Sequence, residues 1–126
     1  GASATGGAGG AGGSNNQALV NGCSANTATD MKGQATVQIT AQGLAYTPPC
    51  IIVDKDTTIE MSLDFGVHPT KAGTVVNDVA TEDQTSPIPP TTMGSSVQFS
   101  MPNTGEFPYF CDSHFTLGMY GVIYVE

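Results

Sequence analysis

The residues of greatest chemical interest are a cysteine, a histidine and a methionine near the C-terminus, in the pattern Cys111-x-x-His114-x-x-x-x-Met119. The chain has one other histidine, His68, well upstream of them. Together these residues offer one thiolate, two imidazoles and one thioether, which are the donors of a trigonal His₂Cys copper site with a weak axial methionine. A site of that kind suits electron transfer, because its geometry lies between those that Cu(I) and Cu(II) prefer. The pattern therefore predicts one mononuclear copper site.

Each of these residues also has an ordinary structural interpretation. A free cysteine is often a small buried hydrophobic residue, and methionine commonly fills cores; with five methionines, this chain uses the residue freely. A structural zinc site is also chemically possible, but such sites usually take more thiolates in paired Cys-x₂₋₄-Cys spacing, and that spacing is absent here. The copper hypothesis therefore depends on the combination of an unpaired cysteine with both histidines.

The segments that must position these residues are typical of short β-strands. Hydrophobic and polar residues alternate with a period of two, which is the pattern of half-buried strands. The alternating or β-branched runs are residues 35–40, 51–53, 57–63, 97–101 and 122–125. In the segment before Cys111, alternation places Phe107 and Tyr109 on the same face as the thiol and Phe110 on the opposite face. We expect an all-β fold, an antiparallel sandwich or barrel over residues 18–126, with at most a helical turn or two around residues 25–31.

Composition limits the classes of function. The 126 residues include three lysines, no arginine and eleven acidic residues, which gives a net charge of −8. Nucleic-acid binding is excluded because phosphate contacts need cations. No apolar run approaches the about 20 residues of a membrane-spanning helix.

The N-terminal residues 1–17 are rich in Gly, Ala and Ser and are predicted to form a flexible linker or tether. Because the chain begins with Gly1 rather than Met, we expect a processed or trimmed N-terminus. A tether to an upstream membrane anchor and a leftover fusion linker both remain open.

Three cysteines leave at least one thiol unpaired within the chain. We predict a Cys23–Cys50 disulfide, which would close a loop of about 28 residues and contribute about 3–4 kcal/mol to stability. The alternative is a pair of free structural thiols in a cytosolic protein. A disulfide would indicate an oxidising, extracytoplasmic compartment, either periplasmic or at the cell surface.

Residues 105–125 resemble the C-terminal signature of the plastocyanin and azurin family of blue copper proteins, the cupredoxins. The features that carry the resemblance are the aromatic strand before Cys111, the spacing from it to His114 and Met119, and the Gly121-x-Ile-x-Val ending. The ligand spacing is similar to that of plastocyanin and pseudoazurin rather than azurin. Outside this segment the resemblance runs from about residue 23 to residue 126 and depends on the strand pattern only.

The resemblance implies a Greek-key β-sandwich with one type 1 copper, in which His68, Cys111, His114 and Met119 are the ligands. It also implies a small monomeric carrier of single electrons that is not an enzyme and docks with redox partners such as a c-type cytochrome or an oxidase. A copper carrier or scavenger and a non-redox interaction module remain as alternatives. A copper oxidase or nitrite reductase would need further histidines, and the two histidines of this chain are already assigned to the first copper.

One residue departs from the family pattern. The residue after the first histidine ligand is usually Asn, whose backbone N–H helps to fix the thiolate, whereas here it is Pro69. Proline has no N–H to donate. We therefore expect more negative charge on the sulfur and a lower reduction potential, with Asp112 and Ser113 as candidate replacement donors. The alternative is that Pro69 only stiffens its loop.

Electrons are expected to enter at His114, inside an apolar rim that includes Phe115 and Leu117. Phe110 offers either a second electron route or only a packed aromatic ring. The negative charge would either steer a cationic partner or serve solubility alone. The acidic residues form two groups along the chain, Asp54, Asp56 and Asp64, and then Asp78, Glu82 and Asp83.

Overall fold

The computed structural model describes residues 19–126, so the linker predicted for residues 1–17 lies outside the described residues. The strands are β1 (Thr29–Asp30), β2 (Thr36–Gln42), β3 (Ala45–Thr47), β4 (Cys50–Val53), β5 (Thr58–Ser62), β6 (Thr70–Val76), β7 (Val79–Glu82), β8 (Ser96–Ser100), β9 (Gly105–Cys111) and β10 (Tyr120–Val125). A short 3₁₀ turn spans Phe115–Leu117. The described residues contain no α-helix, and residues 24–27 form a hydrogen-bonded turn in place of the predicted helical turns.

The strands form two sheets, which confirms the all-β sandwich. One sheet has the order β8-β5-β2-β3 and the other the order β1-β4-β10-β9-β6-β7. Most neighbouring strands pair antiparallel as expected, but three pairs are parallel: β2 with β5, and β4 with both β10 and β1. The chain crosses from β2 and β3 in one sheet to β4 in the other and back to β5. A strand that returns in this way can lie parallel to its predecessor.

The core lies between the sheets and follows the predicted alternation. In β2, Val37 and Ile39 are buried, and in β5 Ile59 and Met61 are buried, because alternate side chains point to the same face of a sheet. The six-stranded sheet contributes Ile51, Val53, Tyr109, Cys111 and Ile123 to the same core. The copper-ligand candidates therefore lie above a closely packed apolar interior.

The predicted disulfide is present. Cys23 and Cys50 are bonded with their Cα atoms 5.7 Å apart, which leaves Cys111 as the free cysteine. The bond attaches the segment before β1 to the start of β4, on the outer face of the six-stranded sheet. This segment turns sharply at Asn21 and Gly22, both of which have positive φ.

Candidate metal centre

Two loops at one end of the sandwich bring the candidate ligands together. His68 lies in the loop between β5 and β6, and Cys111 is the last residue of β9. His114 and Met119 lie in the loop that joins β9 to β10. The two loops are adjacent because β9 pairs antiparallel with β6, so that Cys111 lies opposite Thr70. Residues distant in sequence therefore meet because of strand pairing.

Three donor atoms converge in this place. The Nδ1 atoms of His68 and His114 are 3.2 Å apart, and the Sγ of Cys111 is 3.8 Å from the first and 3.6 Å from the second. All three lie within 4.8 Å of one another. Cys111 is completely buried, and both histidines are partly buried.

The spacing and type of these donors fit a bound metal ion. A metal coordinated by imidazole and thiolate at about 2.0–2.3 Å has its ligand atoms about 3.5–4 Å apart when they form a triangle around it. One thiolate and two imidazoles form the trigonal donor set of a copper electron-transfer site, whereas structural zinc is usually held by four ligands rich in thiolates. The residues present therefore fit one copper ion.

Met119 is placed next to this triangle by the backbone. Its carbonyl oxygen accepts a hydrogen bond of 2.9 Å from the N–H of Cys111, and its own N–H donates to the carbonyl of His114 at 3.3 Å. The side chain is completely buried and belongs to the core cluster that includes Cys111. The backbone therefore brings Met119 beside Cys111, and ligation by its sulfur stays a prediction.

A buried hydrogen-bond chain holds the backbone of His68. The hydroxyl of Thr70 donates to the carbonyl of His68 at 3.2 Å, and the hydroxyl of Tyr46 lies 2.7 Å from that of Thr70. Because Thr70 has a single hydroxyl proton, Tyr46 donates to it. Burial raises the pKa of Tyr46, so this donor keeps its proton at neutral pH. These hydrogen bonds connect the two sheets directly below the candidate site.

The environment of His68 favours the neutral imidazole that metals bind. Burial and, secondly, the nearby His114 lower the pKa of His68, while the carboxylate of Asp64 partly opposes them. The backbone N–H of His68 donates to the carbonyl of Asp64 at 2.8 Å, which closes the turn that presents the ring. A neutral ring offers its nitrogen to a metal without first losing a proton.

The hydroxyl of Ser113 lies beside the Cys111 sulfur. The two atoms are 3.3 Å apart, and the same oxygen is 2.9 Å from the carbonyl of Val67 and 3.2 Å from Nδ1 of His114. Asp112 is the other candidate donor. Its carboxylate lies 3.3 Å from the ammonium of Lys71, and its backbone N–H donates to the carbonyl of Pro69. Of the two candidates, the structure therefore places only Ser113 in hydrogen-bond contact with the sulfur.

Exposed hydrophobic side chains lie in the two loops beside His114. Val67 and Leu117 are 53% and 63% exposed, and Phe115 is partly buried beside the histidine. Phe110, by contrast, is only 2% exposed and packs edge-on against Phe115 with ring centroids 5.8 Å apart. Phe110 is therefore a packed aromatic ring, which was the alternative to a second electron route at the surface.

Sequence reasoning did not find all the residues that shape the site. Tyr46 and Thr70 carried no signal, because their hydrogen bond joins two sheets whose pairing is set by the whole fold. Val67 was also missed as part of the apolar rim. Its signal was present, since it directly precedes His68 and is hydrophobic in a turn.

Comparison with known proteins connects this geometry to a family. Residues 32–126 match the family of copper binding proteins described as the plastocyanin/azurin family. That match covers most of the chain and contains all four candidate ligands. Among curated protein sequences, none matches this chain.

Several solved structures share the fold. Reduced auracyanin from the photosynthetic bacterium Roseiflexus castenholzii is 21% identical, with 74% of this chain and 98% of that chain covered and a TM-score of 0.52. A mutant of amicyanin with Cu(I) is 16% identical, with 73% and 83% covered and a TM-score of 0.50. A Cu-containing nitrite reductase from Thermus scotoductus SA-01 is 20% identical over 72% of this chain but only 22% of that chain, with a TM-score of 0.51. At these identities the likeness shows the fold.

Within residues 19–126, no helix has the length and apolar character needed to cross a membrane.

Proposed function

Because the chain belongs to the plastocyanin/azurin family of copper binding proteins, we propose that it carries single electrons between redox partner proteins through one type 1 copper. The proposed ligands are His68, Cys111, His114 and Met119. The observation that supports this most is the convergence of two imidazole nitrogens and one cysteine sulfur within 4.8 Å at the end of a β-sandwich. Copper supplies the one-electron couple between its cupric and cuprous states.

Each donor type has a distinct role in the proposed site. The thiolate of Cys111 is a soft ligand that stabilises the cuprous state, and the two imidazoles bind either oxidation state. The thioether of Met119 would be a weak donor to the copper, which would keep the preference for either state small.

The loops hold these donors in a fixed arrangement. The N–H of Cys111 bonds to Met119, that of His114 bonds to the carbonyl of Cys111 at 3.2 Å, and that of Asp112 bonds to Pro69 at 2.7 Å. The last of these bonds joins the two ligand-bearing loops directly. These backbone bonds do not involve the metal, so the same arrangement would serve both oxidation states and little rearrangement would accompany electron transfer.

Partners would exchange electrons through His114. This ring is partly exposed and is bordered by Val67, Phe115 and Leu117. A small apolar surface suits brief contacts, because it docks with little polar desolvation. The burial of Phe110 favours this route over one through the opposite face of β9.

The alternatives receive less support. A copper carrier would present exposed cysteine and methionine ligands, whereas Cys111 and Met119 are both completely buried. An enzyme with a second, substrate-binding copper needs further imidazoles, and this chain has two histidines, which both lie at the site. The disulfide supports a location outside the cytoplasm, in the periplasm or at the cell surface.

Loading with Cu(II) tests the proposal. The protein should show an intense blue thiolate-to-copper charge-transfer band, and the reduced, colourless form should recover the band on mixing with an oxidised c-type cytochrome. A weak band with rapid loss of copper would favour the carrier. A colourless protein would contradict the proposed function.

Two matched pairs of variants assign the ligands. Cys111→Ser should abolish the blue band, whereas Ser96→Ala, in a strand of the other sheet, should keep it. Met119→Leu should change the reduction potential, whereas Met61→Leu, which is equally buried but lies in β5, should leave it unchanged. An unchanged potential in Met119→Leu would remove Met119 from the ligand set.

A further inference from the structure

The Cys111 sulfur has one polar neighbour besides the two imidazoles. Among residues 19–126, the hydrogen-bond partners of this sulfur are His68, His114 and the hydroxyl of Ser113, and none is a backbone N–H. Pro69, which follows His68, has no N–H to offer. The sulfur is completely buried, so its protein partners decide how its charge is stabilised.

The Ser113 hydroxyl has one proton and, when Nδ1 of His114 is occupied by copper, two competing acceptors. Its oxygen lies 2.9 Å from the Val67 carbonyl, which can only accept, and 3.3 Å from the Cys111 sulfur. A protonated thiol can itself donate, so the hydroxyl is then free to donate to Val67. A thiolate can only accept, so a hydroxyl that kept its proton on Val67 would turn its lone pairs toward a negative sulfur.

We infer that Ser113 donates its hydroxyl proton to the Cys111 thiolate when copper is bound, and thereby raises the reduction potential of the site. The inference rests on the proposed function. In the cupric state, covalent bonding to the metal draws negative charge from the sulfur, and reduction returns part of that charge. The hydrogen bond is therefore stronger in the cuprous state and favours it. Ser113 acts through the sulfur and is a positioning residue.

The Ser113 oxygen also links the two ligand-bearing loops. Val67 directly precedes His68, and Ser113 lies between Cys111 and His114 in sequence. A shift of the hydroxyl proton from Val67 to the sulfur gives up the hydrogen bond to the Val67 carbonyl, and the stronger bond to a charged sulfur has to offset that loss. The tuning of the sulfur needs only rotation about one C–O bond and no movement of the backbone.

Copper-loaded Ser113→Ala tests the inference through two readouts that are independent of electron-carrier activity. The hydrogen bond is made in both oxidation states and is stronger in the cuprous one, so its loss should shift the cuprous/cupric equilibrium several-fold, and at most about tenfold, toward the cupric form. For a one-electron couple, a tenfold shift is a fall of about 59 mV in the reduction potential. The charge-transfer band should also move to lower energy. Ser113→Thr, which keeps the hydroxyl, should restore both values.

Thr116→Ala is the matched control, because it removes an exposed hydroxyl from the same loop. It should leave the potential and the band unchanged. A Ser113→Ala protein with a wild-type potential and band would overturn the inference. So would a shift that Ser113→Thr fails to reverse, because the hydroxyl would then not be its cause.

A second measurement needs no variant. Resonance Raman bands that involve the Cys111 sulfur should shift when the wild-type copper protein is moved from water to heavy water, since the O–H···S proton exchanges. Bands that do not move would overturn the inference even if Ser113→Ala failed to fold. A wild-type protein without the blue band would instead contradict the proposed function itself.

Discussion

Two residues of the ligand-bearing loops, Pro69 and Ser113, bear on the hydrogen bonding of the Cys111 sulfur. Pro69 carries no N–H and uses its carbonyl to accept a bond of 2.7 Å from Asp112. Ser113 brings a hydroxyl to within 3.3 Å of the sulfur from the other loop. The reduction potential should therefore respond to both positions, since hydrogen bonds to the sulfur tune a copper site of this kind.

Restoring an N–H at position 69 should raise the reduction potential. Pro69→Asn and Pro69→Ala both add a backbone donor, and the second does so without a side-chain amide. One hydrogen bond to the sulfur contributes about 1–2 kcal/mol. The rise in reduction potential should be larger when Ser113→Ala is also present. Potentiometry measures the potential of the single and the double variants. An unchanged or lower potential in the two single variants would show that Pro69 serves only to stiffen its loop.

The candidate ligands could be predicted from sequence because their residue types are scarce. The chain has two histidines and one cysteine outside the disulfide, so few combinations were available. Tyr46 and Thr70 belong to different sheets, and their contact depends on how the sheets pack. No local pattern reports such a contact, so the network that holds His68 became visible only in three dimensions.

The turn before β1 stabilises the sheet through a single side chain. Asn21 is buried, and the two N–H groups of its amide lie within hydrogen-bond distance of three backbone carbonyls in neighbouring strands, those of Gly73 in β6, Tyr109 in β9 and Gly121 in β10. Its side-chain oxygen accepts from the N–H of Val75 at 2.9 Å. Pairing between β6 and β9 extends only from Cys111 to Tyr109. Asn21 therefore satisfies backbone groups where β6 separates from β9 and pairs with β7.

Removing this side chain should destabilise the fold. Asn21→Ala removes the acceptor of the partly buried N–H of Val75 and the amide donors to the strand carbonyls, and the expected loss is about 2–4 kcal/mol in the free energy of unfolding. Asn26→Ala changes an exposed asparagine of the same segment and should stay within about 0.5 kcal/mol of wild type. Urea denaturation compares the two. Equal stabilities would show that water replaces the amide at no cost.

The strands with clear alternation were predicted, and the others were not. The burial pattern of β6 has neighbouring buried residues, Ala72 and Gly73, so it does not repeat every two positions. The hairpin between β6 and β7 turns at Asn77 and Asp78, both with positive φ. Asn and Asp tolerate that conformation and are typical of two-residue hairpin turns. This signal and the Asn21-Gly22 turn were both present in the sequence.

Acidic residues outnumber basic residues by eleven to three in this chain. The net charge is −8, and each of the three lysines already lies beside a carboxylate, in the pairs Lys32–Glu126, Lys55–Asp56 and Lys71–Asp112. A cationic partner would therefore meet a surface whose few positive charges are paired. Long-range attraction of this kind accelerates encounters and weakens with salt.

Electron exchange with a cationic c-type cytochrome should slow as ionic strength rises from low to physiological values. Asp64→Asn, on the loop that carries His68, should lower the low-salt rate by roughly two- to threefold, since steering by a whole protein surface is worth about 10- to 1,000-fold. Asp56 lies in the turn at the opposite end of β5, so Asp56→Asn should change the electron-exchange rate little. Stopped-flow rates that are flat with salt would assign the charge to solubility alone.

X-ray absorption at the copper edge, recorded on the loaded protein in both oxidation states, tests the ligand set and its rigidity together. It should show one sulfur at short distance and two imidazole nitrogens around a single copper, with distances nearly unchanged on reduction. A first shell without the short sulfur, or one that gains or loses a nitrogen between the two states, would contradict the proposed electron-carrying site.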